Sequence, residues 1–389
     1  MVLTMQYEQS IPTKQLLLFK TGAYTYEVIY PKQLDNGTTN QIVRQLGKRT
    51  INFSTTPPAW GTESTIDVET PSGLTNPIAP NRGIIGYDFE LDEILLALGE
   101  WNGASSQLES TTVKLLSIKR DFSSVTVKHS DLFSLVQTVA ADATAIKYYV
   151  HFYGYGGKIV GAVGTYADTS ERSVIVLYDG TTWSAVRANT RYDGVQELIE
   201  PIWDASDNFL GWLTEGHGTN SHFIDYSDLS ITAGAPGGAY TTEPIYDPIN
   251  HQIIWLEWGS ELGYTQSIWT ADPTTPFTAT DVTPSGTITD NEANSIDLTT
   301  VNKSSGTIFS DGTNNWLVLQ LRRGGIPEEE ARSAKINLGN YNDATAWEIL
   351  ADPSNVDTWR KSGRCRAIDL TNKLFLPSPM FQVIPSTVI

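Results

Sequence analysis

Apolar residues along this chain come in short runs that stop at a polar turn and start again. The stretches PIWDASDNFLGWL (201–213) and PIYDPINHQIIWLEW (244–258) show the pattern twice. In each, an apolar-aromatic run closes on an aspartate, Asp204 or Asp247. A few Asn, Asp, Pro or Gly residues follow, and a second apolar run returns. Runs this short, rich in aromatic and β-branched residues and bounded by turn formers, predict paired strands rather than helices. The turn residues suit hairpins, since Asn, Asp and Gly tolerate positive φ and bond their own backbone.

The two aspartates lie 43 residues apart. That is the period of a four-stranded repeat, about 40–50 residues. The same grammar recurs in GYDFELDEILLALG around Asp88, YYVHFYGYGGKIVGAVG around residue 152, TIFSDGTNNWLVLQL around Ser310 and RAIDLTNKLFLPSP around Asp369. A second hairpin follows most copies: VKLLSIKRDFSSVTVKH, SVIVLYDGTTWSAVR, SHFIDYSDLSIT, QSIWTADPTTPFTATDVT and ARSAKINLGNYNDATAWEIL. Each unit therefore reads strand, turn, strand, longer loop, strand, turn, strand. One such sheet cannot bury both faces alone, whereas several stacked around an axis can.

The last copy, near Asp369, has only its first hairpin, while QLLLFKTGAYTYEVIY (15–30) supplies a second hairpin with no first. The arrangement resembles the β-propeller superfamily, in which a blade shared between the termini closes the ring and hides its edges. The resemblance covers residues 12–32 and 83–384. It implies an all-β fold of six blades of four antiparallel strands. The organisation expected from it is a tail over 1–11, a shared closing blade from 12–32 and 358–389, and five further blades over 83–357. No Gly-His…Trp-Asp signature and no recurring double glycine marks a narrower propeller family. SDGTNNW (310–316) and YDGTTW (178–183) are similar to the sialidase Asp-box but lack its spacing, and read as turns with an aromatic plug.

Residues 33–82 fit no blade. They read as an insertion, the alternative being a poor seventh blade, with strand patterns at RTINFST and STIDVET. SDLFSLVQTVAADA (130–143) predicts a short amphipathic helix capped by Ser130 or Asp131. RRGGIPEEEARSAK (322–335) reads as a charged extension with a helical turn after Pro327.

Composition narrows the partners. The formal net charge is −18 over 389 residues, which repels nucleic-acid backbones and anionic membranes. The lone cysteine, Cys365, excludes an intrachain disulfide and reads as a buried thiol. No basic-then-apolar leader and no long apolar span is seen, so no export signal or membrane insertion is expected. Asn36, Asn52 and Asn302 match the glycosylation pattern but carry little meaning without export.

The search for chemistry is sparse. His217 and His222, in EGHGTNSH, are the closest histidines and the weak candidates for a metal, with Glu215 or Asp225 as further ligands; a loop is the simpler reading. No metal and no cofactor is expected. There is no nucleophile elbow and no phosphate loop; YGYGGK (153–158) reads as a turn. Asp88, Asp204, Asp247 and Asp369 share one repeat position, which points to turn capping rather than catalysis. Glu257 and Glu261, in LEWGSELGY, break the repeat and are the weak catalytic candidates, to be set against solvated loop carboxylates. Trp203, Trp212, Trp255, Trp258 and Trp269 could stack on sugars but read as packing between blades.

Fold does not dictate function. The expectation is a non-enzymatic structural or binding module, of the kind found among phage virion propellers in a tail, baseplate or fibre. It would meet other virion proteins, or a host surface glycan or protein, within an oligomeric assembly. The alternative is a carbohydrate-active propeller enzyme, with two carboxylates about 5–10 Å apart at the axis. A weaker alternative is an intracellular scaffold for peptides.

Overall fold

The computed structural model describes residues 17–22, 25–35, 41–52, 54, 59–78, 85–100, 110–167, 170–187, 199–214, 216–217, 221–236, 241–257, 267–289, 295–310, 315–322, 332–349, 365–369 and 374–378. Within them the chain is all-β. Its strands are, in order, β1 (Leu17–Lys20), β2 (Thr25–Asp35), β3 (Gln41–Asn52), β4 (Ala59–Trp60), β5 (Ser64–Asp67) and β6 (Pro77–Ile78), with a one-turn helix α1 (Glu69–Ser72) before β6. The first meander follows: β7 (Gly86–Asp88), β8 (Glu93–Glu100), β9 (Val113–Lys119) and β10 (Val125–His129), then helix α2 (Leu132–Gln137). The second is β11 (Ala145–Tyr155), β12 (Lys158–Ala167), β13 (Ser170–Tyr178) and β14 (Trp183–Arg187). The third holds β15 (Ile199–Trp203), β16 (Phe209–Thr214), a short β17 (Gly216–His217), β18 (Ser221–Asp225) and β19 (Ile231–Gly234). The fourth is β20 (Thr241–Asp247), β21 (Gln252–Glu257), β22 (Ile268–Ala271) and β23 (Ala279–Asp281). A small hairpin, β24 (Thr287–Thr289) and β25 (Ser295–Asp297), precedes the fifth: β26 (Asn302–Ser310), β27 (Asn315–Arg322), β28 (Arg332–Asn337) and β29 (Trp347–Ile349). The chain ends its described part with β30 (Cys365–Asp369) and β31 (Leu374–Ser378).

Every hairpin read from the apolar-run grammar forms. Examples are Tyr155↔Lys158 in β11–β12, Asp247↔Gln252 in β20–β21 and Ser310↔Asn315 in β26–β27. Strand order β15-β16-β18-β19, β20 to β23 and β26 to β29 gives antiparallel meanders of four neighbours, with β17 at the edge of β20. The first, second and terminal meanders join in one larger sheet, where β11 lies parallel to β7 with Gly154 beside Asp88.

The ends of the chain meet in that sheet. β1 pairs β2 antiparallel and β30 in parallel, from Leu17↔Arg366 to Lys20↔Asp369, giving the order β31-β30-β1-β2-β3. The repeat grammar implied four antiparallel strands here, so the parallel pair is a departure. A hairpin turn forces antiparallel neighbours, but strands from opposite ends of a chain carry no such constraint.

Residues 33–82 add strands rather than only a loop. β3 runs beside β2 from Thr25↔Asn52 to Asp35↔Gln41, and β5 pairs β3. These hold both strand patterns read there, RTIN and STID. β6 then bridges β3 and β8 through Ile78, opposite Ile42 on one side and Gly99 on the other. Helix α2 forms as expected, capped by Asp131, whose carboxylate accepts from Ser134 N at 3.0 Å. It is shorter than the amphipathic pattern, and Leu132 and Val136 are its buried residues. The charged stretch after Arg322 lies mostly outside the described residues.

Alternation along β2 explains the packing. Ile29 joins Leu17 and Phe19 in a core with Tyr87, Leu96, Tyr153 and Trp212. Tyr26, Val28 and Tyr30 face the other way, into a core with Ile254, Ile308 and Ile336. The period of two in a strand sends neighbours to opposite faces, so the terminal sheet packs on the first meander by one face and on the fourth and fifth by the other. Between the third and fourth meanders, Trp203 and Leu213 pack with Tyr246 and Trp255.

Candidate functional site

The two ends of the meanders are built differently. At one end the connections are short: 89–92, 120–124, 156–157, 179–182, 204–208, 226–230 and 248–251. At the other end the described strands are farthest apart in sequence: the described connection 130–144 lies there, and so do the strand ends that flank 101–109, 188–198, 258–266 and 323–331, which are themselves outside the described residues. We refer to these as the turn end and the loop end.

Aspartates organise the turn end. Asp88 accepts from Glu90 N (3.2 Å), Leu91 N (3.0 Å) and, across to the second meander, Gly157 N (3.0 Å). Asp204 accepts from Ser206 N, Asn208 N and Asn208 Nδ2. Asp247 accepts from Ile249 N, Asn250 N, Asn250 Nδ2 and Gln252 Nε2. The repeated acids therefore cap turns, as their shared position implied; the side chain of Asp369 lies outside the described residues. A second set obeys a D-x-S/T rule. Asp121, Asp179, Asp225, Asp272 and Asp343 each accept from the backbone N–H two residues on. Asp179 closes the YDGTTW turn, with Trp183 stacked on Tyr178 at 4.7 Å.

Side chains also tie neighbouring meanders together at the turn end. Arg120 bonds Asp92 on its own meander (2.7 Å) and Glu27 on β2 (2.9 Å), over the ring of Phe19. Lys158 donates to Tyr226 O and Ser227 O of the third meander. Gln252 donates to Tyr341 Oη of the fifth. Polar chemistry at this end is thus committed to structure.

Buried polar groups gather at the loop ends of the strands. Glu200, Thr214, Ser221 and His222 belong to the third meander, Glu243, Glu257 and Ser267 to the fourth, and Lys303 begins the fifth; all are buried. His151 lies further along β11 and is also buried. Glu200 and Glu243 occupy one repeat position, because the two opening stretches extend leftward as E-P-I-W-D and E-P-I-Y-D.

That pentad has a physical logic. β15 is an edge strand, and β20 has a ladder neighbour, β17, only at Thr241 and Thr242, so the outward N–H groups of both need partners or removal. Glu200 Oε1 accepts from Tyr246 N at 3.0 Å, from the third meander to the fourth. His151 Nδ1 likewise accepts from Ile199 N at 3.3 Å, from the second to the third. N–H groups two residues apart in a strand point the same way, so Pro201 and Pro244 stand where further outward donors would be. Proline removes those donors, as edge strands favour.

The residues singled out from sequence fall as follows. Glu257 ends β21, buried; its N–H donates to Ser267 O (3.0 Å) and its Oε2 accepts from Ser267 N (3.3 Å). Glu261 lies outside the described residues. His217 sits in β17, paired with Thr241, and its side chain is likewise undescribed. His222 is buried, donates its backbone N–H to Thr214 Oγ1 at 3.0 Å, and is held towards the neutral form by burial. Among the described residues no three His, Cys, Asp or Glu side chains cluster as a metal site. Trp203, Trp212 and Trp255 are fully buried, and Phe89 and Tyr246 meet Trp203 at 5.4 and 5.5 Å across the seams. Trp269 is half-buried, and Trp258 is outside the described residues. Glu200, Glu243 and His151 were not singled out; the repeated glutamate before Pro-Ile was the available signal.

The class these features define is an all-β chain of repeated antiparallel meanders. No family model matches this chain, and no curated protein does. Among solved structures, a chain of the mitotic checkpoint complex shares 9% identity at a TM-score of 0.46, covering 95% of this chain and 90% of that one. A structure described as TolB of Agrobacterium tumefaciens shares 12% at a TM-score of 0.38, covering 78% and 90%.

Proposed function

We propose that the chain is a six-bladed β-propeller, its last blade assembled from β30, β31, β1 and β2, and that it acts as a non-enzymatic binding module. The observation that carries this reading is the division between the two ends. Acids at the turn end are spent on capping turns and tying meanders, while at the loop end the described strands are farthest apart in sequence. A rigid disk that presents variable loops from one end is built for complementarity with a partner surface. The partners proposed are neighbouring proteins of a virion or a host-surface protein or glycan, in an assembly formed inside the host cell. Co-sedimentation of the native chain with virus-sized particles tests this: a fixed copy number supports it, and a particle-free chain refutes it.

Glu200, Glu243 and Glu257, all buried at the loop end, favour one second reading, a carbohydrate-active enzyme. Two of the three already hold a backbone N–H, the work of structural carboxylates. Turnover of any glycan in a broad panel, abolished by Glu243→Gln in a folded variant, would establish this alternative.

A further inference from the structure

Lys303 is a buried ionisable group for which neither reading above has a use. It is 0% exposed. Its Nζ donates to Leu298 O at 2.7 Å and Val301 O at 3.1 Å, two bonds that the neutral amine can also make. Both carbonyls belong to the connection 282–301, which leads from the fourth meander to the fifth. Among the described residues the start of the connection is tied to β22 by Val282 N to Ile268 O and by Ile268 N to Thr283 Oγ1, and its middle by the β24–β25 ladder; its last turn is held by Leu298 N to Gly286 O, Val301 N to Asp297 O and the Asp297 carboxylate on Thr299. Leu298 and Val301 plant their side chains in the core shared by the fourth, fifth and terminal sheets. Releasing the connection would therefore wet both the lysine and part of that core.

We propose that Lys303 is a pH-responsive latch on the 282–301 connection, seated while its side chain is neutral and loosened when it takes a proton. Three carboxylates face it from the packed elements: Glu257 of β21, Asp281 of β23 and Asp297 at the end of β25. Each favours the ammonium. Burial opposes them and dominates, bringing the lysine down to about 7. In the released state the side chain reaches water and regains ordinary lysine basicity, 10.5. A state that binds the proton more tightly gains population as pH falls. The opening equilibrium thus rises by up to about tenfold per pH unit on going down from about pH 10 to about 7, and levels off below. The inference is independent of what the loop end binds.

The test is amide exchange at Leu298 and Val301 between pH 6.5 and 9.5, expressed as protection relative to each amide's intrinsic rate. The wild-type chain should gain protection towards high pH, by up to about tenfold per unit, and Lys303→Met should show no such slope. Equal slopes in the two proteins, or a flat wild-type profile, overturn the proposal. Should Lys303→Met fail to fold, Glu257→Gln decides instead. Loss of one facing carboxylate lowers the basicity of the seated lysine, so the pH near 7 at which the wild-type slope levels off must move lower, and an unmoved levelling-off overturns the latch.

Discussion

Asp247 and Asp204 are the same residue of the same repeat, yet their surroundings set different consequences for losing them. Asp247 is fully buried and accepts four hydrogen bonds. Asp247→Ala removes a buried acceptor that holds four donors of a half-exposed turn and should cost about 1–3 kcal/mol in urea unfolding. Asp204 caps its turn in water, and Asp204→Ala should shift the midpoint far less. The exposed D-x-S/T aspartates also fix a pH response. Hydrogen bonds from the Thr274, Thr299 and Thr345 hydroxyls, then from their backbone N–H groups, hold Asp272, Asp297 and Asp343 below the usual 3.8. A depressed folded value means the stabilisation is present above the unfolded value and lost as pH falls through the folded one. The melting temperature should therefore drop as pH falls below about 4. The triple change of these residues to Asn, which keeps an acceptor but cannot titrate, should flatten that drop in a calorimetric series.

At the scale of the element, inner strands meet with almost no clearance. A Cβ added at Gly86 of β7 would lie 1.5 Å from the Phe152 carbonyl oxygen of β11. Gly86→Ala must push two backbones apart and should destabilise by about 1–3 kcal/mol or more in chemical denaturation. The Glu200 rung can be tested the same way. Glu200→Ala leaves Tyr246 N–H without its acceptor and should cost about 1–3 kcal/mol, most of which Glu200→Gln restores. Hairpins such as β20–β21 were legible because a run, a turn and a run encode pairing within a few residues. Asp capping was legible from position alone. The Glu200 rung was not: the repeated Glu-Pro-Ile marks the position, but its partner lies 46 residues away and nothing local names it. β6 was missed because two residues, Pro77 and Ile78, carry no period. The parallel β1–β30 pair was unreadable because no turn joins those strands.

For the whole molecule, the central claim is that the turn end is scaffold and the loop end receives a partner. The alternating faces of β2 and the tie from Arg120 to Glu27 fix the terminal sheet against its neighbours, the stiffness that the proposed role requires. The most direct measurement is cross-linking mass spectrometry on particles purified from the native source. The account predicts that the chain is present at fixed stoichiometry and that its links to other proteins fall in 101–112, 188–198, 258–267 and 323–331. Links concentrated instead on the turns at 89–92, 204–208 and 248–251, or a chain absent from the particles, would contradict it.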